Sequence, residues 1–199
     1  MSTVNFQPGN DDDEPEFTGT AELRRLARQH VEDGAVTAGY MLDPQRVCEL
    51  LNAALATELV CVLRYRRHYF MAEGANAKSV ASEFLEHADE ELGHADMLAA
   101  RIVQLGGAPD FNPEGLSGRS HAEYVEGHTL KSMLYEDLVA ERIAIQSYSE
   151  LIDFIGDDDP TTRRMLETIL AKEEEHADDL GSLIKGRPAS EPAALPADG

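Results

Sequence analysis

The strongest constraint on the fold is a pattern that occurs twice, an isolated glutamate followed much later by a Glu-x-x-His motif. The two copies are Glu58 with Glu91 and His94, and Glu141 with Glu173 and His176. The motif begins 33 positions after the glutamate in the first copy and 32 positions after it in the second. Residues three apart share one face of an α-helix, so each motif directs a carboxylate and an imidazole to one place. The pattern therefore favours a helical fold in which six potential metal ligands converge.

The glutamates of this pattern lie on apolar helix stripes. Glu58 shares its stripe with Leu51 and Leu55, and Glu173 shares its stripe with Ile169. Four carboxylates in an apolar interior repel one another unless cations compensate their charge. Two divalent metal ions supply four positive charges, and carboxylate and imidazole are ligands that iron accepts. Charge balance thus predicts a dinuclear metal centre between the helices.

Four long helical segments carry the pattern, each with its own start and stop signals. Asp43-Pro44 and Asp159-Pro160 pair an N-cap with a first-turn proline, and Gly156 follows the third segment. Residues 106–128 are rich in Gly, Pro, Asn and Ser and form too long a link for a tight helical hairpin, although Ser120–Glu126 is predicted to form a short helix within it. The expected fold is an all-α, ferritin-like four-helix bundle with a long crossover between helices two and three. The predicted long segments are 44–73, 76–105, 129–155 and 160–185.

The chain divides into three parts. Residues 1–43 are predicted to form an acidic N-terminal arm, with an acidic run at 11–14 and room for a short helix at 20–33. Residues 44–185 form the bundle, and the Pro- and Ala-rich residues 186–199 form a disordered tail. The start of the chain lacks the basic and apolar regions of a signal peptide, and no segment is apolar enough to span a membrane. We therefore expect a cytoplasmic protein without a membrane partner.

The formal net charge of −21 narrows the range of partners. Such a chain repels nucleic acid and anionic lipid and raises the local concentration of cations, so DNA binding is not expected. Cys48 and Cys61 fall on different faces of the first long helix and cannot form a disulfide within the chain, which suits a reducing compartment. Cys61 lies one turn after Glu58. A lone buried cysteine most often only fills the core, but a redox role for Cys61 beside the centre stays open.

Between residues 44 and 185 the chain resembles bacterioferritin and the Dps-like mini-ferritins of the ferritin-like superfamily. The resemblance rests on the repeated pattern, on Tyr65, and on the segments His94-Ala95-Asp96 and Leu105-Gly106-Gly107-Ala108-Pro109. It implies a complete ligand set for two iron ions per subunit. The implied ligands are Glu91 and Glu173 as bridges, with Glu58 and His94 on one iron and Glu141 and His176 on the other.

Four further positions are interpreted through this resemblance. Tyr65 matches a catalytic-site tyrosine beside the two irons, although an ordinary core tyrosine fits equally well. His87 and Glu90 match a region where bacterioferritin holds an iron at its inner surface, but we expect both to be plain surface residues. Leu92 occupies the position of the haem-ligating methionine of bacterioferritins, so no haem is expected.

The resemblance also implies an activity and an assembly. The implied activity is that of a ferroxidase, which oxidises Fe(II) to Fe(III) with dioxygen or hydrogen peroxide for iron storage and for protection from iron and peroxide damage. Pro188, Pro192 and Pro196 interrupt any fifth helix, which favours a 12-subunit homo-oligomeric cage over a 24-subunit cage. The alternatives are another di-iron carboxylate enzyme, such as a rubrerythrin-like peroxidase or an oxidase, and a non-catalytic binding bundle. The oxidant, the choice of iron or manganese, the cage size and the role of the acidic arm stay open.

Overall fold

The structure, a computed structural model, describes residues 17–74 and 77–186. Within these residues the chain is all-α and contains no strand, so the predicted fold class is confirmed. The acidic run at 11–14 and residues 187–199 of the tail predicted to be disordered lie outside the described residues. The helices are α1 (Thr20–Leu26), α2 (Pro44–Met71), α3 (Ala77–Gln104), α4 (Leu116–Arg119), α5 (Leu130–Ile155) and α6 (Pro160–Ile184), with a 3₁₀ turn at Val31–Asp33.

The ends of the long helices follow from local capping chemistry. The Asp43 side chain accepts a hydrogen bond from the Gln45 backbone N–H at the start of α2, and Pro44 occupies the first turn. Thr129 and Ser132 form a reciprocal capping box at the start of α5. Gly156, with φ of 53°, ends α5. Each long helix therefore begins and ends within two residues of its predicted bounds.

The four long helices pack as two hairpins that face each other. Helix α2 packs along α3, and α5 packs along α6, while α2 also contacts α5 and α3 contacts α6. Two apolar clusters lie at different levels of the bundle, one around Leu55, Leu98 and Ile169, the other around Phe84 and Leu180. On every long helix the residues of the repeated pattern fall between these two clusters in sequence. The fold thus places the pattern at mid-height of the bundle, between two hydrophobic layers.

The crossover between α3 and α5 differs from its prediction. The short helix expected at Ser120–Glu126 is wrong, because the helical turn lies at Leu116–Arg119 and the following residues are extended or bent. The backbone after this turn forms hydrogen bonds with side chains of helix α2, which hold it in a non-helical conformation. The bonds are His121 N–H to Thr57 Oγ1 at 3.0 Å, Arg64 Nη1 to the Glu123 carbonyl at 3.0 Å, and His68 Nε2 to the Glu126 carbonyl at 2.9 Å.

A buried charged network fastens α2 to α5 beneath this crossover. Arg64 Nε lies 2.7 Å from Asp137 Oδ1, and His68 Nδ1 lies 2.7 Å from Asp137 Oδ2. The three side chains are at most 1% exposed. Both oxygens of the Asp137 carboxylate are therefore satisfied, as a buried charge requires. The network fixes the long connection against the bundle.

The segment before α2 is less helical than predicted. The expected helix at 20–33 is limited to Thr20–Leu26, followed by the 3₁₀ turn, because His30 adopts a left-handed φ of 49° that interrupts the helix. Further along, Tyr40 donates a hydrogen bond to Asp159 Oδ2 at 2.9 Å. Arg101 Nη2 also contacts this carboxylate, at 2.8 Å. The end of the arm is thus anchored where α3 meets the start of α6.

Cys48 and Cys61 are buried in α2 and free, so the expected absence of a disulfide between them agrees with the structure. Cys61 Sγ lies 3.6 Å from Arg64 Nη2. Across residues 17–74 and 77–186, none of the helices combines the length and apolar character that crossing a bilayer requires.

Candidate metal centre

The six residues of the repeated pattern converge in the interior of the bundle. Five of them are at most 1% exposed, and His94 is 7% exposed. They form two overlapping groups, and within each group the potential ligand atoms all lie within 4.8 Å of one another. Glu91 and Glu173 belong to both groups. The first group adds Glu58 and His94, and the second adds Glu141 and His176.

The imidazoles direct Nδ1 towards the carboxylates. His94 Nδ1 lies 2.8 Å from Glu173 Oε1, 3.1 Å from Glu91 Oε2 and 3.4 Å from Glu58 Oε2. His176 Nδ1 lies 3.5 Å from Glu91 Oε1 and 3.7 Å from Glu173 Oε2. Both histidines thus contact the same two shared carboxylates, as expected for a centre with two adjoining positions.

Burial makes the carboxylates hard to ionise together. It raises the pKa of Glu58 to about 8, and the negative charge of Glu91 adds to this effect. Burial also raises the pKa of Glu141 well above its ordinary value, with the charges of Glu91 and Glu173 contributing. These groups therefore retain protons around neutral pH unless a cation replaces them.

The two histidines also have raised pKa values, which for an imidazole favours the charged form. Burial opposes protonation of His94, but the close contacts of its ring with the carboxylates of Glu173, Glu58 and Glu91 outweigh it and raise the pKa of His94 to about 12. Burial likewise opposes protonation of His176, and its contacts with Glu173 and Glu91 raise the pKa to about 11. Positive charge is therefore strongly favoured at this point of the bundle, and the imidazolium groups supply it where no metal ion does.

Several buried polar atoms of the cluster lack a correctly oriented hydrogen bond. They include one carboxylate oxygen from each of the four glutamates, together with one imidazole nitrogen. Buried polar groups are nearly always paired, so such a concentration requires an explanation. Each of these atoms is a ligand type that divalent iron or manganese accepts, so the donor set fits two such ions. The atoms are Glu58 Oε2, Glu91 Oε1, Glu141 Oε2, Glu173 Oε1 and His176 Nδ1.

Two tyrosines hold the glutamates that are not shared. Tyr148 donates a hydrogen bond to Glu58 Oε1 at 2.5 Å, and Tyr65 donates one to Glu141 Oε1. Each tyrosine thus donates its hydrogen bond to the glutamate of the opposite hairpin. Tyr65 is a predicted site residue and Tyr148 is not, although each of the two follows the glutamate of its own helix by seven positions, which is a signal that the sequence contains.

Replacing Tyr148 with phenylalanine is expected to weaken binding of Co(II) or Mn(II) at the centre by about tenfold, because it removes the hydrogen bond that orients Glu58. Isothermal titration of the metal-free protein measures this change. Tyr135→Phe, on the exposed side of the same helix, is the matched control and should bind as the wild type does. Equal affinities for all three proteins would contradict a positioning role for Tyr148.

His87 and Glu90 are not the plain surface residues that we expected. His87 is 2% exposed, and its ring stacks on the His176 ring with 4.0 Å between centroids. Burial, with the positive charge of His176, lowers the pKa of His87 to about 3. Glu90 is only partly exposed, and its Oε2 lies 2.6 Å from His176 Nε2. Both residues contact His176 of the facing helix α6, a tertiary contact that the local sequence pattern does not show.

Comparison with known proteins agrees with this architecture. Residues 48–187 match the family described as the Ferritin-like domain. The chain belongs to this family. This ferritin-like protein is 32% identical over 145 residues to a bacterioferritin from Rhodobacter capsulatus, a match that covers 72% of this chain and 86% of the relative.

Solved structures extend the comparison. A dodecameric thioferritin, the bacterioferritin-related protein from Bacteroides fragilis, shares 35% identity with the ferritin-like protein at a TM-score of 0.71, covering 73% of this chain and 88% of that one. A structure of Rhodobacter capsulatus bacterioferritin, with a metal-free dinuclear site and a haem iron, shares 30% identity at a TM-score of 0.63. That match covers 73% of this chain and 87% of the other.

Proposed function

We propose that this ferritin-like protein is a ferroxidase that takes ferrous ions as substrate at a two-ion site within each subunit. The observation that carries the proposal is the pair of overlapping ligand groups that share Glu91 and Glu173. Shared carboxylates suit two cations held side by side, and four carboxylates balance the charge of two divalent ions. The proposed ligands are Glu58, Glu91, His94, Glu141, Glu173 and His176.

The protein residues supply binding, orientation and proton release. Glu58 and His94 have raised pKa values, so both give up protons when cations take their place. Tyr65 and Tyr148 hold the two unshared glutamates in place from the opposite hairpins. Two ferrous ions provide two electrons, which with two protons reduce dioxygen to hydrogen peroxide, or hydrogen peroxide to two waters. The hydrophobic layers on both sides limit access of bulk water to this chemistry.

We further propose that the protein stores iron in a cytoplasmic homo-oligomeric cage. Its thioferritin relative is dodecameric, which supports a cage of 12 subunits. The net charge of −21 attracts ferrous ions and disfavours DNA. Unlike the haem-containing Rhodobacter capsulatus structure, this chain is proposed to bind no haem, because Leu92 stands where the resemblance places the haem ligand.

Stoichiometric oxidation tests the proposed activity. Metal-free full-length protein is loaded anaerobically with increasing Fe(II) and mixed with oxygen or hydrogen peroxide in a stopped-flow instrument. We expect a fast phase whose amplitude saturates near two Fe(II) per subunit. An amplitude that rises without a break would overturn the proposal. Native mass then separates a cage of hundreds of kilodaltons from a dimeric di-iron enzyme of another type.

A further inference from the structure

An apolar cleft lies on the outside of the bundle, between the start of α2 and the later part of α5. Its volume is about 640 Å³. Small-molecule sites usually have volumes of about 300 to 1,000 Å³. None of the proposed metal ligands lines the cleft, so it is separate from the metal centre. Apolar side chains from both helices form much of its lining, and they include Leu50, Val139, Ile143, Leu151 and Phe154.

The sequence of α5 places the lining groups on one face of the helix. Val139, Arg142, Ile143 and Gln146 fall at positions i, i+3, i+4 and i+7, which share a helix face. Val139 is 37% exposed, and Phe154, two turns beyond Gln146, is 47% exposed. Large apolar side chains that are exposed side by side along a concave surface indicate a contact site. The outward face of α5 is therefore suited to hold an apolar group.

Arg142 is the cation of this cleft that has no partner. Arg46 also lines the cleft, but its Nη1 contacts Glu49 Oε2 at 3.1 Å. The acidic lining residue Glu150 accepts a hydrogen bond from Gln146 Nε2 at 2.8 Å. The Arg142 side chain is exposed and makes no ion pair or hydrogen bond within residues 17–74 and 77–186. The cleft thus combines apolar surface with a positive charge that is not compensated.

This combination indicates the chemistry of the ligand. A chain with a net charge of −21 repels anions over most of its surface, so an anion is retained only where a local cation and apolar contact act together. A guanidinium binds a carboxylate through two parallel hydrogen bonds. We propose that the cleft binds a small molecule with one carboxylate and an apolar chain. The carboxylate lies on Arg142, and the chain lies against Val139 and Phe154.

Isothermal titration with two amphiphiles of equal chain length tests this site. Decanoate carries the proposed anionic head group, whereas decyltrimethylammonium carries a cationic one, and both are used below the concentrations at which they form micelles. The protein is full-length and metal-free, so that the carboxylate cannot bind an ion at the proposed centre. We expect saturable binding of one decanoate per subunit. The cation should bind at least about fivefold more weakly, although the net charge of the chain favours it.

Two variants separate the contributions of charge and apolar contact. Arg142→Gln removes the cation and Phe154→Ala removes apolar surface, and each should weaken decanoate binding by about fivefold. Both side chains are exposed, so neither change should affect folding. Arg66→Gln is the matched control, because it removes the charge of an α2 arginine outside the cleft, and it should bind decanoate as the wild type does.

The possible results bear on different parts of the proposal. Equal decanoate affinities for Arg142→Gln and the wild type would overturn recognition of the carboxylate. A wild type without saturable decanoate binding would overturn the site itself. If in that case the native mass of the Arg142→Gln, Phe154→Ala double variant also fell, the cleft would be a contact between subunits. Failure of the two-iron fast phase would leave this site intact, because no proposed metal ligand lines the cleft.

Discussion

Replacing Glu173 with glutamine is expected to slow the fast oxidation of Fe(II) by at least about 100-fold. Glu173 belongs to both ligand groups, with one oxygen 2.8 Å from His94 Nδ1 and the other 3.7 Å from His176 Nδ1. Glutamine keeps the shape of the side chain but carries no charge and only one oxygen. Mutating a residue that only hydrogen-bonds to a metal ligand typically lowers metal affinity or activity by about 10- to 100-fold. Loss of a ligand that both ions share should lower the activity further. Stopped-flow oxidation at two Fe(II) per subunit measures the effect.

The neighbouring Glu174 offers a matched control for this experiment, because it is exposed and belongs to neither ligand group. Glu174→Gln should oxidise Fe(II) at the wild-type rate and bind as much Co(II) as the wild type. Glu173→Gln should bind less than the wild type. If both variants retained the fast phase, the shared carboxylate would not be part of the reaction site.

Divalent cations are expected to stabilise the protein much more at pH 8 than at pH 5.5. The folded metal-free protein raises the pKa of Glu58 to about 8 and of His94 to about 12. A raised pKa contributes stability that is complete below the ordinary pKa of the group and is lost as pH rises through its folded value. The metal-free protein should therefore lose stability from about pH 5 upwards, first through Glu58 and then through His94. Cations compete with these protons, so their stabilising effect grows over the same range.

Thermal unfolding with and without Mn(II) measures this dependence. The Mn(II) concentration is the same at both pH values and is set to 100 times the dissociation constant at pH 8, where each of two sites then adds about 2.7 kcal/mol to the free energy of unfolding. For a chain of this length the midpoint should rise by about 10 to 20 °C at pH 8. Glu173→Gln should show a much smaller rise. A rise that is independent of pH, or is larger at pH 5.5, would contradict the assigned protonation states.

The long helices could be predicted because their boundaries are encoded locally. Asp43 caps α2, the Thr129–Ser132 box caps α5, and Gly156 ends α5 without help from distant residues. The convergence of the repeated pattern was also predictable, since helical periodicity fixes the face on which each glutamate lies. Its assignment as an iron site stays a prediction until metal binding is measured.

Other features depend on tertiary contacts that no local pattern shows. The backbone at Ser120–Glu126 is not helical, and Arg64 and His68 bond two of its carbonyl groups from a helix more than fifty positions away. The burial of His87 depends on how closely α3 approaches α6, which the sequence does not state. Tyr148 is the exception, since it was recoverable by comparing the two halves of the chain position by position.

Each helical hairpin depends on the other for the hydrogen bond to its own unshared glutamate. Glu58 in the first hairpin takes its hydrogen bond from Tyr148 in the second, and Glu141 takes its own from Tyr65. A chain cut within the crossover would therefore give two fragments, each with half of the ligands and with the donor that the other fragment needs. Uptake of cations by such a mixture would report reunion of the fragments, which makes the bundle a natural starting point for a metal-triggered split reporter.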